Sequence, residues 1–109
     1  MANPLRGEIE AVIGGRRYTL CLTLGALAEL EARLQAGDLM GLAARFEDGR
    51  LSAADALAVI AAGLRGGGNA LADEEVALMA IEGGAGGYVR LVAALLAATF
   101  GSSRPDPAP

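Results

Sequence analysis

Residues 8–22 read EIEAVI, GG and RRYTLCL, so that two β-prone runs flank a pair of glycines. Gly14 and Gly15 suit a two-residue hairpin turn, because both central positions of such a turn need φ > 0. The resulting register puts three pairs on one largely apolar face: Ile13 with Arg16, Ala11 with Tyr18, and Ile9 with Leu20. A slip of one residue would turn these side chains to the opposite face, so the hydrophobic pattern fixes the register.

Helix signals follow the hairpin, whose apolar face needs a cover because an isolated hairpin is only marginally stable in water. Thr23 is placed to cap a first helix that runs to about Ala36, and Gly37 then ends it. Asp38 is placed to cap a short second helix. The apolar residues at helical spacing, which we expect to face the core, are Leu27, Leu30 and Leu34 in the first helix and Leu39, Leu42, Ala43 and Phe46 in the second.

Three further helices are expected toward the C-terminus. Residues 52–55 (SAAD) resemble a capping box for a third helix, and the glycines of residues 66–69 (GGGN) end it. A short fourth helix begins near Asp73, where three acidic residues suit the positive end of the helix dipole. Residues 83–87 (GGAGG) are interpreted as a hinge or linker, and the last helix spans about Tyr88 to Phe100. The side chains expected to point inward from the third and fourth helices are Leu57, Ile60, Leu64, Val76 and Met79.

These signals predict an α+β fold: an N-terminal β-hairpin followed by about five α-helices in one mainly helical domain, residues 1–101. The chain has 109 residues, which suits one domain. Aromatic residues make up only 4% and Trp is absent, so the core must be built from small aliphatic side chains. Residues 102–109 hold three prolines and little to bury, and we expect a disordered tail there.

The reactive side chains are too few for most catalytic or metal sites. The sequence has no His and no Lys, and Cys21 is its single cysteine. The predicted register places Cys21 opposite Glu8, and a nearby carboxylate disfavours a thiolate. Residues 66–69 follow a helix rather than a strand, so we interpret them as a helix stop and not as a phosphate-binding loop. We therefore expect no catalytic residues, no cofactor and no metal, and we keep a small enzyme or ligand-binding module only as a minor alternative.

The charged residues indicate neither a nucleic-acid partner nor a membrane. The net charge is −4, and the arginines at positions 45, 50 and 65 form no basic stripe. Glu29 and Arg33 form an i,i+4 pair that we expect on the solvated side of the first helix. No apolar run reaches the roughly 18–20 residues of a membrane span, and the N-terminus lacks a signal-peptide pattern, which favours a cytoplasmic location. The oligomeric state is left open.

The last helix has more apolar surface than a core-facing stripe requires. Its larger side chains fill an arc of about 180°, whereas a stripe of about 100° suffices to face a core. Two interpretations remain: a central helix covered on both flanks, or a helix that offers one edge of the arc to a partner. Leu91 and Leu95 form one edge, and Val89 and Phe100 form the other. The candidate partner-binding residues are Tyr88, Val89, Leu91, Leu95 and Phe100.

The chain resembles a known family in the order of its segments. The most specific parts are GGRRYTL (residues 14–20), LGALAELEARL (residues 24–34) and GLRGGG (residues 63–68). They are similar to the small gene transfer agent proteins that are grouped with phage tail assembly chaperones and are also labelled tail tube proteins. The resemblance covers roughly residues 6–100.

The resemblance implies a non-enzymatic role in building a phage-like tail. Such chaperones associate with the tape measure protein, keep it soluble and help tail tube subunits to polymerise around it. The family has no catalytic residues to carry over. Binding would then use the hairpin edge, by strand addition, or the last helix, by apolar contact. The alternative is a structural tail component that is retained in the mature particle.

Overall fold

The computed structural model describes residues 7–34, 39–50, 52–80 and 84–100. Along these residues an N-terminal antiparallel hairpin is followed by five helices, so the predicted α+β fold is confirmed. The elements are β1 (Glu8–Ile13), β2 (Arg16–Cys21), α1 (Leu24–Leu34), α2 (Leu39–Glu47), α3 (Ala53–Gly66), α4 (Asp73–Ala77) and α5 (Gly84–Phe100). The predictions made for Gly37, for Asp38, for the tail at 102–109 and for the side chains of Leu34, Leu39, Leu42 and Ala43 fall outside the described part of the chain.

The hairpin has the predicted register and turn. Ile9 pairs with Leu20 and Ile13 with Arg16, while Gly14 and Gly15 take φ values of +61° and +83°. Ile13 and Leu20 are fully buried, because α3 packs against β2 and α5 against β1. The alternating pattern of apolar residues therefore predicted correctly which face of the hairpin is buried.

Two predicted helix caps are present. The Thr23 hydroxyl accepts a hydrogen bond from the backbone N–H of Ala26 at 3.1 Å. At the start of α3, the Ser52 hydroxyl accepts from the Asp55 N–H at 3.0 Å, and the Asp55 carboxylate accepts from the Ser52 N–H at 3.3 Å. Each cap satisfies backbone donors that the first helical turn leaves without an intrahelical partner.

The glycine-rich segment before the last helix is helical, which corrects the hinge interpretation. α5 begins at Gly84, four residues before the predicted start at Tyr88. Each glycine lowers helix stability by about 1 kcal/mol relative to alanine, which is why the sequence alone favoured a break. Gly87 is buried, so tertiary packing outweighs this intrinsic preference.

The central helix of the described structure is α3, and α5 lies at its side. α3 packs against α1, α4, α5 and β2. Its residues 58–64 are all buried, whereas the apolar spacing in the sequence predicts only Ile60 and Leu64 of this segment to be in the core. Most of these residues are alanine or glycine, and such small side chains let neighbouring elements approach from every direction.

The C-terminal end of α3 covers the outer edge of β2. The turn at residues 14–15 makes the hydrogen-bonded pairs alternate along the hairpin, so the Thr19 and Cys21 carbonyls point away from β1. A Cβ atom on Gly66 or Gly67 would lie under 3.0 Å from one of these two carbonyl oxygens. The Asn69 amide donates to Thr19 O at 2.9 Å. Residues 66–69 therefore end a helix, as predicted, and also close one edge of the sheet.

The outer edge of β1 stays open at two positions. By the same alternation, the backbone groups of Glu10 and Val12 point away from β2. Within the described residues they have no hydrogen-bond partner in the protein. The turn itself is held, because the Gly14 N–H donates to the Ala80 carbonyl at 2.7 Å.

Candidate functional site

An apolar groove opens between the N-terminal half of α3 and the start of α5. Its volume is about 480 Å³. Four segments contribute: the end of α2 with the following turn, α3, α4 and α5. The residues that line this groove are Phe46, Gly49, Ser52, Ala53, Ala56, Leu57, Ile60, Val76, Ala77, Tyr88 and Val89.

α3 forms the floor of the groove. Ala53, Ala56, Leu57 and Ile60 recur at i, i+3, i+4 and i+7, so they lie along one face of the helix. The two alanines leave space that a larger side chain would fill. Leu57 was predicted to be in the core; it is half-buried because its outer side faces the groove.

α5 supplies one wall of the groove with two of the predicted partner-binding residues. Tyr88 is 37% exposed and Val89 is 56% exposed. Both lie in the first half of α5, next to the N-terminal half of α3. Phe100 is also exposed, but it lies about 16 Å farther along the helix and does not line the groove.

Leu91 and Leu95 belong to the core, so the prediction that they contact a partner needs correction. Leu91 is 7% exposed and Leu95 is 0% exposed. α3 covers Leu95, because a Cβ atom on Gly63 would lie 2.9 Å from Leu95 Cδ1. Of the two edges that the sequence leaves open, the Leu91–Leu95 edge is buried, with Leu95 against α3, and the edge with Val89 and Phe100 remains exposed.

Several groove residues were not recognised from the sequence as functional candidates. The sequence pattern predicts Phe46 to be in the core and indicates no role for Ala53 or Ala56. The four-residue face of α3 was the available signal, since its helical spacing combines small and apolar side chains. That spacing is equally typical of a core stripe, so the groove becomes visible only when the neighbouring helices are in place.

A four-residue ion cluster holds α4, which forms another wall of the groove. Arg65 of α3 binds Asp73 of α4 at 2.9 Å and also binds Glu29 of α1. Arg33 of α1 lies 2.5 Å from the other Asp73 oxygen, and the Arg65 guanidinium donates to the Leu71 carbonyl at 3.0 Å. The Glu29–Arg33 pair is therefore part of a partly buried junction between three helices, and not a purely solvated pair as the sequence suggested.

The cluster shifts the pKa of Asp73. Partial burial acts to raise the pKa of this carboxyl, but hydrogen bonds from Arg65 and Arg33 and the positive charge of both outweigh burial. The pKa of Asp73 consequently lies below its ordinary value in the folded protein. The hydrogen bond to Glu29 is the main cause that raises the pKa of Arg65.

Replacing Asp73 by asparagine should make the unfolding free energy less dependent on pH in the acidic range. A carboxyl with a lowered pKa in the folded state stabilises above its unfolded pKa, near 4, and loses this contribution as pH falls through the folded pKa. We expect D73N to lower the unfolding free energy by about 1 kcal/mol at pH 7, since the pair is partly exposed. The difference from the wild type should shrink toward pH 2, as measured by urea unfolding.

The matched control for this prediction is D48N. Asp48 pairs with Arg50 at 3.3 Å, and both side chains are mostly exposed, so the substitution should leave the unfolding midpoint nearly unchanged. If D73N and the wild type differed in unfolding free energy by the same amount at pH 7 and at pH 2, the role assigned to the Asp73 charge would be contradicted.

The described residues hold no other concentrated chemistry. No three acidic or cysteine side chains among them lie close enough to hold a metal ion. Cys21 is half-buried and pairs with Glu8 in the hairpin, as predicted. In the described part of the chain, no helix is both long enough and apolar enough to span a membrane.

The fold and the groove define a small α+β protein in which a hairpin is followed by helices that border an open apolar groove. The family described as phage tail tube protein, GTA-gp10, matches residues 6–102, and the chain belongs to this family. The resemblance seen in the sequence is thereby confirmed, and the protein is related to the tails of phages and gene transfer agents. No curated protein matches the chain, and no solved structure matches it.

Proposed function

We propose that the protein is a non-enzymatic tail assembly chaperone that binds tail proteins, such as the tape measure protein, in the cytoplasm during tail morphogenesis. The observation that carries the proposal is the apolar groove, which has a volume of about 480 Å³ and keeps Val89 56% exposed. Burying exposed apolar surface against a partner is favourable by roughly 25 cal/mol per Å² before the costs of association.

The composition of the groove supports binding rather than chemistry. Ser52 and Tyr88 supply its side-chain hydroxyls, and Ser52 already acts as the cap of α3. None of the described residues that line the groove is Asp, Glu, Arg or Cys. A surface of this kind recognises another polypeptide through apolar contact and excludes water from the contact.

The substitution Val89→Asp tests the proposal. It places a carboxylate on the groove wall, where burial against an apolar partner is strongly unfavourable. We expect the tape measure protein of the same tail gene cluster to be soluble when co-expressed with the wild type and mostly insoluble with V89D. The measurement is the soluble fraction of the tape measure protein, together with recovery of the complex by affinity purification.

The matched control is Ala94→Asp, which adds the same charge to an exposed position of α5 outside the groove. This variant should keep the tape measure protein soluble. Equal solubility of the tape measure protein with and without the wild-type chain, and no recoverable complex, would refute the chaperone proposal.

The second candidate is a structural tail component that remains in the mature particle. The family description favours it, since it names a tail tube protein. The open edge of β1 at Glu10 and Val12 offers a place where a neighbouring strand could pair. Mass spectrometry of purified particles separates the two candidates: stoichiometric recovery supports the structural component, and absence supports the chaperone.

A further inference from the structure

The backbone chemistry of the groove restricts the conformation of what binds there. Its walls are mostly helical, and the backbone groups of helices are already hydrogen-bonded within each helix. An extended peptide would bury N–H and C=O groups without partners, and each unpaired group costs about 1–3 kcal/mol. A helix satisfies its own backbone, so the occupant that suits this groove is an α-helix with an apolar face.

The charges around the groove restrict the composition of that helix. Glu47 follows Phe46 in the chain, and Glu74 lies about one helical turn before Ala77, so each glutamate is close in the chain to a lining residue. Both are exposed, and among the described residues neither has an ion-pair partner. The helices that contribute to the groove therefore carry exposed carboxylates near lining residues, and a basic partner can neutralise them.

The arginines near the groove do not cancel this charge. Arg45 is paired with Asp55 at 3.4 Å, and Arg50 is paired with Asp48. Arg90 follows Val89 and has no acidic partner among the described residues. In the described part of the chain, the exposed charges that lie close in the chain to lining residues and have no ion-pair partner are Arg90 against Glu47, Glu74 and Glu75, so negative charge predominates.

We infer that the groove binds an amphipathic α-helix of a partner protein whose apolar stripe is flanked by Lys or Arg. The inference rests on the proposed function, because it names the chemistry of the segment that a tail partner would present. Electrostatic complementarity then selects basic helices over acidic ones of equal hydrophobicity. A second copy of this chain fits less well, since its net charge is −4 and like charges would meet at the rim.

The test uses the full-length protein and labelled synthetic peptides, with no tail protein present. The probe is a helical peptide of about 18 residues with leucines at i, i+3, i+4 and i+7 spacing and lysines beside the stripe. One control peptide has glutamate in place of each lysine, and another has the same composition in scrambled order. Fluorescence anisotropy should show the basic peptide binding at least about tenfold more tightly than either control, with weaker binding at high salt.

Two double variants test whether the peptide binds at the groove. E47K with E74K should reverse the preference between the basic and acidic peptides. Tyr88→Ser with Val89→Ser should weaken binding of the basic peptide at least about tenfold, whereas Ala94→Ser outside the groove should bind like the wild type. Circular dichroism checks that each variant is folded.

Several results would overturn the inference: no binding of the basic peptide, equal binding of all three peptides, or unchanged binding by the double serine variant. Self-association that the double serine variant abolishes would instead identify a second copy as the occupant. If the peptide binds as expected but the tape measure protein stays insoluble, the proposed function fails and the groove chemistry stands. If the tape measure complex forms but the peptides do not bind, only this inference fails.

Discussion

Gly66→Ala is expected to destabilise the protein by at least about 3 kcal/mol, although alanine is the better helix former. The added Cβ would meet the Cys21 carbonyl oxygen at less than 3.0 Å. The obstacle is backbone, so no rotamer change relieves it, and α3 would have to move away from β2. That movement would also stretch the hydrogen bond from Asn69 to Thr19. Urea unfolding of the variant should show a much lower midpoint with a similar slope.

The control for this substitution is Gly25→Ala in α1. Gly25 is also helical, and its added Cβ would find only the Thr23 hydroxyl, at 3.9 Å, which is ordinary contact. Gly25 and Gly66 both lie in the terminal turn of a helix, where the gain in helix propensity is smaller than the interior value of about 1 kcal/mol, so the difference between the two variants reports mainly the clash with β2. We expect G25A to be as stable as the wild type or slightly more stable. Equal stability of G66A and G25A would contradict the close packing of α3 on β2.

Leu95→Ala is expected to lower the unfolding free energy by about 2–5 kcal/mol, the usual range for a fully buried leucine. Leu95 is 0% exposed and packs against Gly63, where the neighbouring backbone limits collapse around the cavity. Urea unfolding measures the loss. Replacing a leucine on a free partner-binding surface would change the unfolding free energy of the isolated protein very little. This variant therefore tests whether Leu95 belongs to the core or to an interface.

Val89→Ala on the same helix is the matched comparison. Val89 is 56% exposed, so removing its two methyl groups should change the stability of the isolated protein by less than about 0.5 kcal/mol. A large loss of stability in V89A, or a negligible loss in L95A, would contradict the conclusion that the Leu95 edge of α5 is buried and the Val89 edge is exposed.

The hairpin and the caps show where sequence reasoning was sufficient. The register from Ile9 to Leu20 follows from alternation on two adjacent strands and from the Gly14–Gly15 turn. The capping box at Ser52 follows from a four-residue motif. In each case the interacting groups are close in the chain, so local stereochemistry decides the result.

The ion cluster shows where sequence reasoning ended. Glu29 and Arg33 were paired correctly because they are four residues apart on one helix. Arg65 joins the same cluster although it is 36 residues from Glu29, and in the sequence it is one of several scattered arginines. Nothing in the spacing of Arg65 indicates its partners, because the packing of α1 on α3 brings them together.

The candidate site divides in the same way. The wide apolar arc of α5 was visible in the sequence, and so was the presence of two edges. A helix that is apolar over half its circumference has a choice of faces, and only its neighbours determine which face is buried. Leu91 and Leu95 are buried, Leu95 against Gly63 of α3, and Tyr88 and Val89 remain at the groove.

By itself, the amino-acid sequence determined the order of elements, the hairpin register, the helix caps and the family resemblance, because each depends on residues that are near one another in the chain. The tertiary structure decided that α3 is the central helix, that its end closes the β2 edge, and that one edge of α5 borders an open groove. The physical reason is that burial is settled by contacts between distant segments. An apolar periodicity states only that a face can be buried, and not which segment will cover it.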